Sequence, residues 1–308
     1  MSSTIDHHYL MLNGYTAHYA SCGTPGQPLL LFVHGFPESW VAWRGMLQSF
    51  GQRYHAVALD TRGINESRGP QDVRGYRAKE LVADLVALLD HLGADRCILI
   101  GHDWGGAIAC ALAIAHPQRL NGLVMINAVH PGVYRRELAE NAAQQTASAY
   151  MNFFISETAE AQLTANHHAE LCAMFAEDGD DGQTDALPVW FDAALQHEYR
   201  QAWSQPGSIR AGLSYYRASP LHPANDDDPG AQGVVFDDAT LAVKVPTLVI
   251  WGERDRFLLP GCLDGLNRYI PDLRIERIAD ASHWIVHEQE ARVTQLVAQF
   301  VTHHLAQS

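Results

Sequence analysis

The chain has 308 residues, 47% of them hydrophobic and 18% charged, which is the composition of a globular protein with room for a large core. Its formal net charge of −14 argues against a protein that binds nucleic acid or an anionic membrane, since both partners favour basic surfaces. The five cysteines are odd in number and widely spaced, so we expect free thiols in a reducing, cytoplasmic compartment and no disulfide frame.

The first 130 residues alternate between strand and helix patterns. A hairpin is predicted over residues 9–12 and 15–20, around the turn at Asn13 and Gly14. Residues 78–92 carry apolar side chains at helical spacing. Short apolar runs between such stretches are typical of parallel strands buried on both faces. These runs span residues 29–33, 55–59, 97–100 and 123–126.

The pattern changes after residue 130, where helical stretches with a polar face replace the strands. These stretches span residues 137–155, 159–176, 187–203 and 207–217. Alternation then returns, with strands at 247–251 and 273–278 and helices at 261–269 and 288–305. We therefore predict an α/β fold with a mostly parallel sheet and helices on both faces. Residues 1–130 and 235–308 would form its core, and residues 131–234 a helical cap over the carboxyl ends of the strands.

The most informative motif is Gly-His-Asp-Trp-Gly at residues 101–105, between the third apolar run and a helix of small residues. It has the spacing of a nucleophile elbow, a tight strand-to-helix turn that exposes its central side chain. The central residue here is Asp103, where esterases have serine. An aspartate is ionised near neutral pH, and it can attack an alkyl carbon to form an ester on its own carboxylate. The motif favours an epoxide hydrolase or a dehalogenase over an esterase.

Two ionisable residues directly follow the late strands, Asp255 after the first and His283 after the second. The chain order of nucleophile, acid and histidine is the order of the catalytic triad on α/β-hydrolase sheets. We predict that Asp103 attacks carbon, that His283 deprotonates water, and that Asp255 orients the imidazole. Glu253 is the rival candidate for the acid.

The segment His-Gly-Phe-Pro at residues 34–37 follows the strand at 29–33. A turn there would aim the backbone N–H of Phe36 toward the elbow, where it would meet the N–H of Trp104. Together they would form an oxyanion hole for the carbonyl of the aspartyl ester. The peptide bond before Pro37 is a candidate cis bond, and His34 is interpreted as structural.

Three motifs together resemble those of the α/β-hydrolase-fold epoxide hydrolases, and the resemblance covers the whole chain, including the cap. They are His-Gly-Phe-Pro-Glu-Ser-Trp at 34–40, Gly-His-Asp-Trp-Gly-Gly at 101–106 and Ala-Ser-His-Trp at 281–284. Residues 60–67 resemble the family's Asp-x-Arg-Gly-x-Gly-x-Ser loop, but Asn65 stands where glycine is usual. Asparagine tolerates left-handed backbone angles, so we expect little disturbance.

The resemblance implies two cap tyrosines that donate hydrogen bonds to the epoxide oxygen, and Tyr150 and Tyr216 stand at the matching places. Helical phase agrees for both, because Leu213 and Tyr216 lie on one apolar face, and Ala147, Tyr150 and Phe154 form a similar line. Whether Tyr215 takes the place of Tyr216 stays open at this point.

The predicted reaction is the hydrolysis of an epoxide to a vicinal diol through an alkyl ester on Asp103. The alternative is a haloalkane or haloacetate dehalogenase with the same nucleophile. In related dehalogenases a halide-binding Asn follows the first glycine motif or an Arg follows the nucleophile, and some place an acid after the strand that precedes the cap. This chain has Phe36, Trp104 and Asn127 at those three places, which favours the epoxide hydrolase.

The expected partner is a small apolar epoxide, with no nucleic acid and no membrane, and the protein is expected to be a monomer or homodimer. No metal or organic cofactor is predicted, because the nucleophile and the base are both side chains. The substrate is expected to bind in an apolar pocket. Its predicted lining residues are Phe36, Pro37, Trp104, Phe153, Phe154 and Trp284.

Overall fold

The computed structural model describes residues 4–176 and 187–305. Residues 177–186, within the predicted cap, and residues 1–3 and 306–308, within the predicted core, lie outside the described part. The described residues form an eight-stranded sheet in the order β1-β2-β4-β3-β5-β6-β7-β8. Its strands are β1 (Asp6–Leu12), β2 (Tyr15–Cys22), β3 (Leu29–Val33), β4 (His55–Leu59), β5 (Cys97–His102), β6 (Leu120–Ile126), β7 (Thr247–Gly252) and β8 (Leu273–Ile278).

The α-helices of the described residues lie between and after these strands. They are α1 (Arg44–Phe50), α2 (Ala78–His91), α3 (Trp104–Ala115), α4 (Pro131–Glu140), α5 (Ala142–Ala147), α6 (Tyr150–Ile155), α7 (Ala159–Thr164), α8 (Ala169–Ala173), α9 (Ala193–Trp203), α10 (Ser208–Ala218), α11 (Ile285–Glu288) and α12 (Glu290–Leu305). The chain thus has the predicted class, with helices α4 to α10 between β6 and β7.

The sheet is mostly parallel, as predicted. Strand β2 runs antiparallel to β1 and β4, and every other neighbouring pair is parallel. The β1–β2 hairpin turns through Asn13 and Gly14, which have φ values of 44° and 88°. These left-handed angles are the ones that a tight hairpin turn of this kind needs.

Side chains of the central strands pack into two hydrophobic cores, one on each face of the sheet, because successive residues of a strand point to opposite faces. Leu99 of β5 packs with α2 and α3 on one face of the sheet. Its neighbours Ile98 and Ile100 pack with α1 and α12 on the other face. This two-sided burial explains why the strands read as continuous apolar runs.

Some predicted helices are interrupted in the structure. The stretch at 137–155 breaks at Asn141, whose side chain caps the next helix, and the stretch at 159–176 breaks where Asn166 has a φ of 48°. The prediction of a helix at 261–269 was wrong. Residues Pro260–Leu263 and Leu266–Arg268 form two short 3₁₀ turns on either side of Gly265, whose φ of 79° ends any continuous helix.

Among the described residues, none of the helices combines the length and the apolar character that crossing a bilayer requires.

Candidate active site

Asp103 occupies the turn between β5 and α3. Its φ of 51° and ψ of −122° are unusual for a residue with a side chain, and such strain is typical of functional turns. The flanking glycines allow this turn to form. A Cβ at Gly101 would lie 2.4 Å from the carbonyl oxygen of Gly105, and one at Gly105 would lie 2.0 Å from the carbonyl oxygen of Val33. The predicted elbow therefore depends on close backbone packing that only glycine permits.

The Asp103 carboxylate bridges the predicted oxyanion hole and the predicted base. Its Oδ1 accepts a hydrogen bond from the backbone N–H of Phe36 at 2.9 Å. Its Oδ2 lies 3.6 Å from Nε2 of His283. Burial raises the pKa of Asp103, while the His283 ring and the N–H groups of Trp104 and Phe36 oppose that rise. These donors stabilise the ionised form, which is the nucleophilic one.

The other ring nitrogen of His283 contacts Asp255. Nδ1 of His283 lies 2.7 Å from Oδ2 of Asp255, and both side chains are buried. The backbone N–H groups of Phe257 and Leu258 donate to Oδ1 of Asp255 at 2.8 and 2.9 Å. Burial raises the pKa of Asp255, but His283 and these hydrogen bonds outweigh it, so the pKa is lowered overall. The buried carboxylate is thus held as an anion beside the imidazole.

Glu253, the rival for the acid, points elsewhere. Its carboxylate pairs with Arg277 at 3.0 Å, and its side chain is 32% exposed. The structure therefore brings Asp255, and not Glu253, to the His283 ring.

Asn127 is a site residue that the sequence reasoning missed. It follows β6 with a φ of 36°, and its Nδ2 donates to Oδ2 of Asp255 at 2.6 Å. Its Oδ1 accepts the backbone N–H of Gly252 at 2.8 Å. The amide thus fixes the acid to the end of β7 and supports its ionised form. Its position directly after a buried strand could have indicated a role in the site. The sequence analysis used this position only to note that it holds no carboxylate.

Two opposing effects set the pKa of His283. Burial lowers it, but the negative charges of Asp255 and Asp103 outweigh burial and raise the pKa to about 9. Because this value exceeds the ordinary 6.5, the pairing stabilises the fold fully below about pH 6.5, and its contribution is lost as pH rises through about 9. Esterification of Asp103 would remove one of the two anions. The imidazole would then release its proton more easily at the stage where a base is needed.

We expect Asp103→Asn, which resembles the uncharged ester in shape and charge, to lower the pKa of His283 by about 1 pH unit, because one nearby anion is lost. NMR titration of the His283 ring in the wild type and the variant measures this difference. Asp95→Ala, at an exposed position, is the control and should leave the pKa unchanged. An equal or higher pKa in Asp103→Asn would contradict the coupling between the two side chains.

Tyr150 and Tyr216, the predicted cap tyrosines, lie over the elbow. The Tyr216 ring, on α10, lies 5.1 Å from the Trp104 ring and 6.2 Å from the Tyr150 ring. Burial raises the pKa of Tyr216 well above its ordinary value, opposed in part by hydrogen bonds from the Trp104 and Tyr150 side chains. Burial also raises the pKa of Tyr150. Both phenols therefore stay protonated and can donate a hydrogen bond.

Tyr215 turns away from Asp103. Its hydroxyl donates to the backbone carbonyl of Arg62 at 2.8 Å, in the core. Arg62 is itself held by Asp84, with Nη2 and Oδ1 separated by 2.6 Å. Adjacent tyrosines on α10 thus have different surroundings, with Tyr215 bonded to the core and Tyr216 facing the nucleophile.

Aromatic rings surround the nucleophile on the side of α6 and α10. The Phe36 ring lies 5.5 Å from that of Phe154 and 5.8 Å from that of Tyr216, in edge-to-face geometry. Phe257, which no sequence motif marks, packs edge-on against His283, with the ring centroids 5.1 Å apart. Phe153 is half-buried next to Phe154.

Two of the predicted pocket residues have partners in the segment between β6 and β7. The indole N–H of Trp284 donates to the carbonyl of Met174 at 3.0 Å, and its ring packs on Phe175 at 4.2 Å. The carbonyl of Pro37 accepts the indole N–H of Trp203 at 2.6 Å, and the Phe36–Pro37 peptide bond is cis. These contacts join that segment to the loops on both sides of the site.

Glu38 is a second residue that the sequence reasoning passed over, although it lies in the first family motif. It is buried, and its Oε2 lies 2.8 Å from Nδ1 of His102. The other nitrogen of His102 lies 2.8 Å from the backbone carbonyl of His283. Oε1 of Glu38 lies 2.6 Å from Nε2 of His287. Burial raises the pKa of Glu38, but His102 and His287 lower it by more, so the pKa is lowered overall. The carboxylate therefore stays ionised and anchors the His283 loop.

The smaller predictions also have a place in the structure. His34 is buried, its Nε2 accepts the backbone N–H of Thr61 at 3.0 Å, and it supports the loop as expected of a structural residue. Asn65 takes the left-handed backbone with a φ of 50°, and its amide donates to Oδ2 of Asp60 at 2.7 Å. Within the described ranges, no group of three or more His, Cys, Asp or Glu side chains is arranged to hold a metal ion.

Comparison with known proteins identifies the relatives of the chain. Residues 28–290 match the alpha/beta hydrolase fold family. Mouse epoxide hydrolase 4 is 31% identical over 94% of this chain and 77% of its own length. The AB hydrolase superfamily protein YfhM of Bacillus subtilis is 32% identical over 95% of this chain and 96% of its own. The crystal structure of a Bacillus megaterium epoxide hydrolase in complex with an inhibitor superimposes with a TM-score of 0.84, at 31% identity, over 96% of this chain and 100% of that one.

Proposed function

This chain belongs to the epoxide hydrolases of the α/β-hydrolase fold, and from that premise we propose that it converts a small apolar epoxide to a vicinal diol through an ester on Asp103. The observation that carries the proposal is an aspartate at the strained elbow, with Oδ2 3.6 Å from the ring of His283. A carboxylate in that place suits attack on an alkyl carbon. The helices between β6 and β7 serve in this proposal as the cap that closes over the substrate.

The first step opens the epoxide ring. A carboxylate oxygen of Asp103 forms a bond to an epoxide carbon as the bond between that carbon and the ring oxygen breaks. The electron pair of the broken bond stays on the ring oxygen. Tyr150 and Tyr216 donate hydrogen bonds to this oxygen, and one of them supplies its proton, so that a hydroxyl group results. The product of the step is a hydroxyalkyl ester of the aspartate.

The second step hydrolyses this ester. His283 takes a proton from water, and the resulting hydroxide attacks the carboxyl carbon of Asp103. The N–H groups of Phe36 and Trp104 hold the negative oxygen of the tetrahedral intermediate. The intermediate then breaks the bond to the alkyl oxygen, which receives the proton from His283 and leaves as the second hydroxyl of the diol. The carboxyl group of Asp103 formed in this way returns its proton to the tyrosine that lost one in the first step, which restores both side chains. Asp255 stabilises the imidazolium between these two transfers.

We expect Tyr150→Phe and Tyr216→Phe each to slow ester formation by about 10- to 100-fold, because each removes a hydrogen bond to a developing oxyanion. The double variant should lose nearly all turnover. Rapid-quench measurement of ester formation with styrene oxide checks this. Tyr9→Phe, at an exposed position of the edge strand β1, is the control and should leave the rate of ester formation within about twofold of the wild type.

An assay with several substrates tests the proposed reaction itself. The wild type should form diol from styrene oxide and release no halide from 1-chlorobutane or fluoroacetate. The residues beside the nucleophile favour this outcome, since Phe36 and Trp104 are apolar and neither offers an amide or a guanidinium side chain. Halide release in the absence of diol formation would make the protein a dehalogenase.

A further inference from the structure

Gly212 of α10 leaves no room for a side chain. A Cβ at this position would lie 2.3 Å from Cε2 and 2.6 Å from Cδ2 of the Phe36 ring. Real Cβ atoms do not approach other atoms within 3.0 Å, so the ring or the helix would have to move. The Phe36 ring thus lies directly beneath the backbone of the cap helix.

The same helix face carries Tyr216, whose phenol is proposed to donate a hydrogen bond to the epoxide oxygen. Gly212 precedes Tyr216 by four residues, so both positions face the same side of α10. The Tyr216 ring touches the edge of the Phe36 ring, with centroids 5.8 Å apart. The contact between Gly212 and Phe36 therefore fixes how close α10 comes to the nucleophile.

The backbone on both sides of this contact is held in place. The backbone of Phe36 is held by its hydrogen bond to Asp103, at 2.9 Å. On the cap side, α10 is fixed by the hydrogen bond from Tyr215 to the Arg62 carbonyl, at 2.8 Å. A larger residue at position 212 would consequently push the Phe36 ring sideways, toward the nucleophile and the ring of Phe154, which lies 5.5 Å away.

We propose that Gly212 determines substrate size, by allowing the Phe36 ring to lie back under α10 and leave space beside Asp103 for the substituent of the epoxide. The Phe36 ring forms one wall of the pocket, and the absence of a side chain at Gly212 determines how far this ring can lie from the bound substrate. This inference rests on the proposed epoxide hydrolase activity.

The test is a cycle of Gly212→Ala, Phe36→Leu and the double variant, with kcat/KM measured on styrene oxide and on propylene oxide. Gly212→Ala should lower the ratio of the two kcat/KM values, aryl over methyl, by about tenfold, because the ring moves into the space of the larger substituent. Phe36→Leu removes the ring atoms that clash. The double variant should therefore return the ratio to within about twofold of the Phe36→Leu value.

Thermal unfolding tests the packing independently of activity. An alanine in place of glycine in a helix normally stabilises the protein. Here Gly212→Ala should lower Tm by about 3 °C in the presence of Phe36, and it should not lower Tm in the Phe36→Leu background. Ser214→Ala, on the same helix but hydrogen-bonded only to the Arg210 carbonyl within it, is the control and should change neither the Tm nor the ratio appreciably.

Each outcome decides the inference. Additive effects of the two substitutions, or an unchanged substrate ratio in Gly212→Ala, would overturn it. If Gly212→Ala fails to fold, a folded double variant supports the contact and an unfolded one counts against it. A wild type that forms diol from neither epoxide would refute the proposed reaction, while the Tm cycle would still report on the contact.

Discussion

Replacing Asp103 with alanine is expected to lower kcat by at least about 10⁴-fold, because the variant has no atom that can form the ester. The oxyanion donors and the His283–Asp255 pair would remain, but they act on an ester that no longer forms. Diol formation from styrene oxide, followed by chromatography, measures the loss. Asp95→Ala, at an exposed position far from the site, is the matched control and should keep full activity.

Isotope labelling tests the same step from the side of the product. In a single turnover with excess wild-type enzyme in heavy-oxygen water, the heavy atom should enter the Asp103 carboxylate, because water attacks the carboxyl carbon of the ester. The diol of that first turnover should carry no label. Mass spectrometry of the peptide that contains Asp103 reads this directly. A labelled diol and an unlabelled peptide would mean that water attacks the epoxide itself.

Replacing His283 with glutamine is expected to lower steady-state turnover by about 10³-fold or more while leaving ester formation in place. Attack by Asp103 needs no base, but ester hydrolysis does. Glutamine can still donate a hydrogen bond to Asp255, so the buried carboxylate keeps a partner. The covalent ester should therefore accumulate, and the mass of the intact protein after mixing with styrene oxide should rise by the mass of the substrate.

The control for this prediction is His197→Gln, at an exposed position of α9, which should turn over normally and show no adduct. Two results would contradict the assignment of His283. One is a variant that hydrolyses the ester at the wild-type rate. The other is a folded variant that forms no ester at all, which would give the histidine a role in the first step.

Three site residues can be predicted from the sequence because of their positions relative to the apolar runs. Asp103, Asp255 and His283 each follow an apolar run, and parallel strands end at the same edge of a sheet. Their convergence in space then follows from the alternating pattern of strands and helices. Tyr150 and Tyr216 needed the family resemblance, because cap helices contain many tyrosines that serve only in packing. Helical phase could favour Tyr216, but it could not show that Tyr215 bonds to the core.

The rest depends on contacts between distant parts of the chain. Asn127 supports Asp255 across 128 positions, and no spacing rule connects them. Phe257 is an ordinary loop residue until the fold brings its ring to His283. Gly212 matters only because the Phe36 ring lies against it. Similarly, periodicity indicated helical segments between β6 and β7 but missed their breaks. These depend on the side-chain cap that Asn141 provides and on the left-handed backbone of Asn166, which periodic patterns do not record.

The hydrogen bond from Tyr215 to the Arg62 carbonyl has a consequence for how this enzyme can diversify. It ties the helix of the neighbouring Tyr216 to the loop after β4 through Arg62, whose side chain pairs with Asp84 of α2. The phenol thus has an anchor outside the other helices between β6 and β7. Insertions or substitutions elsewhere in the cap can then change the shape of the pocket entrance while the Tyr216 phenol keeps its position relative to Asp103. We expect laboratory evolution of new substrate ranges to collect changes in α5 and in α7 to α9, and to spare Tyr150 and this adjacent pair.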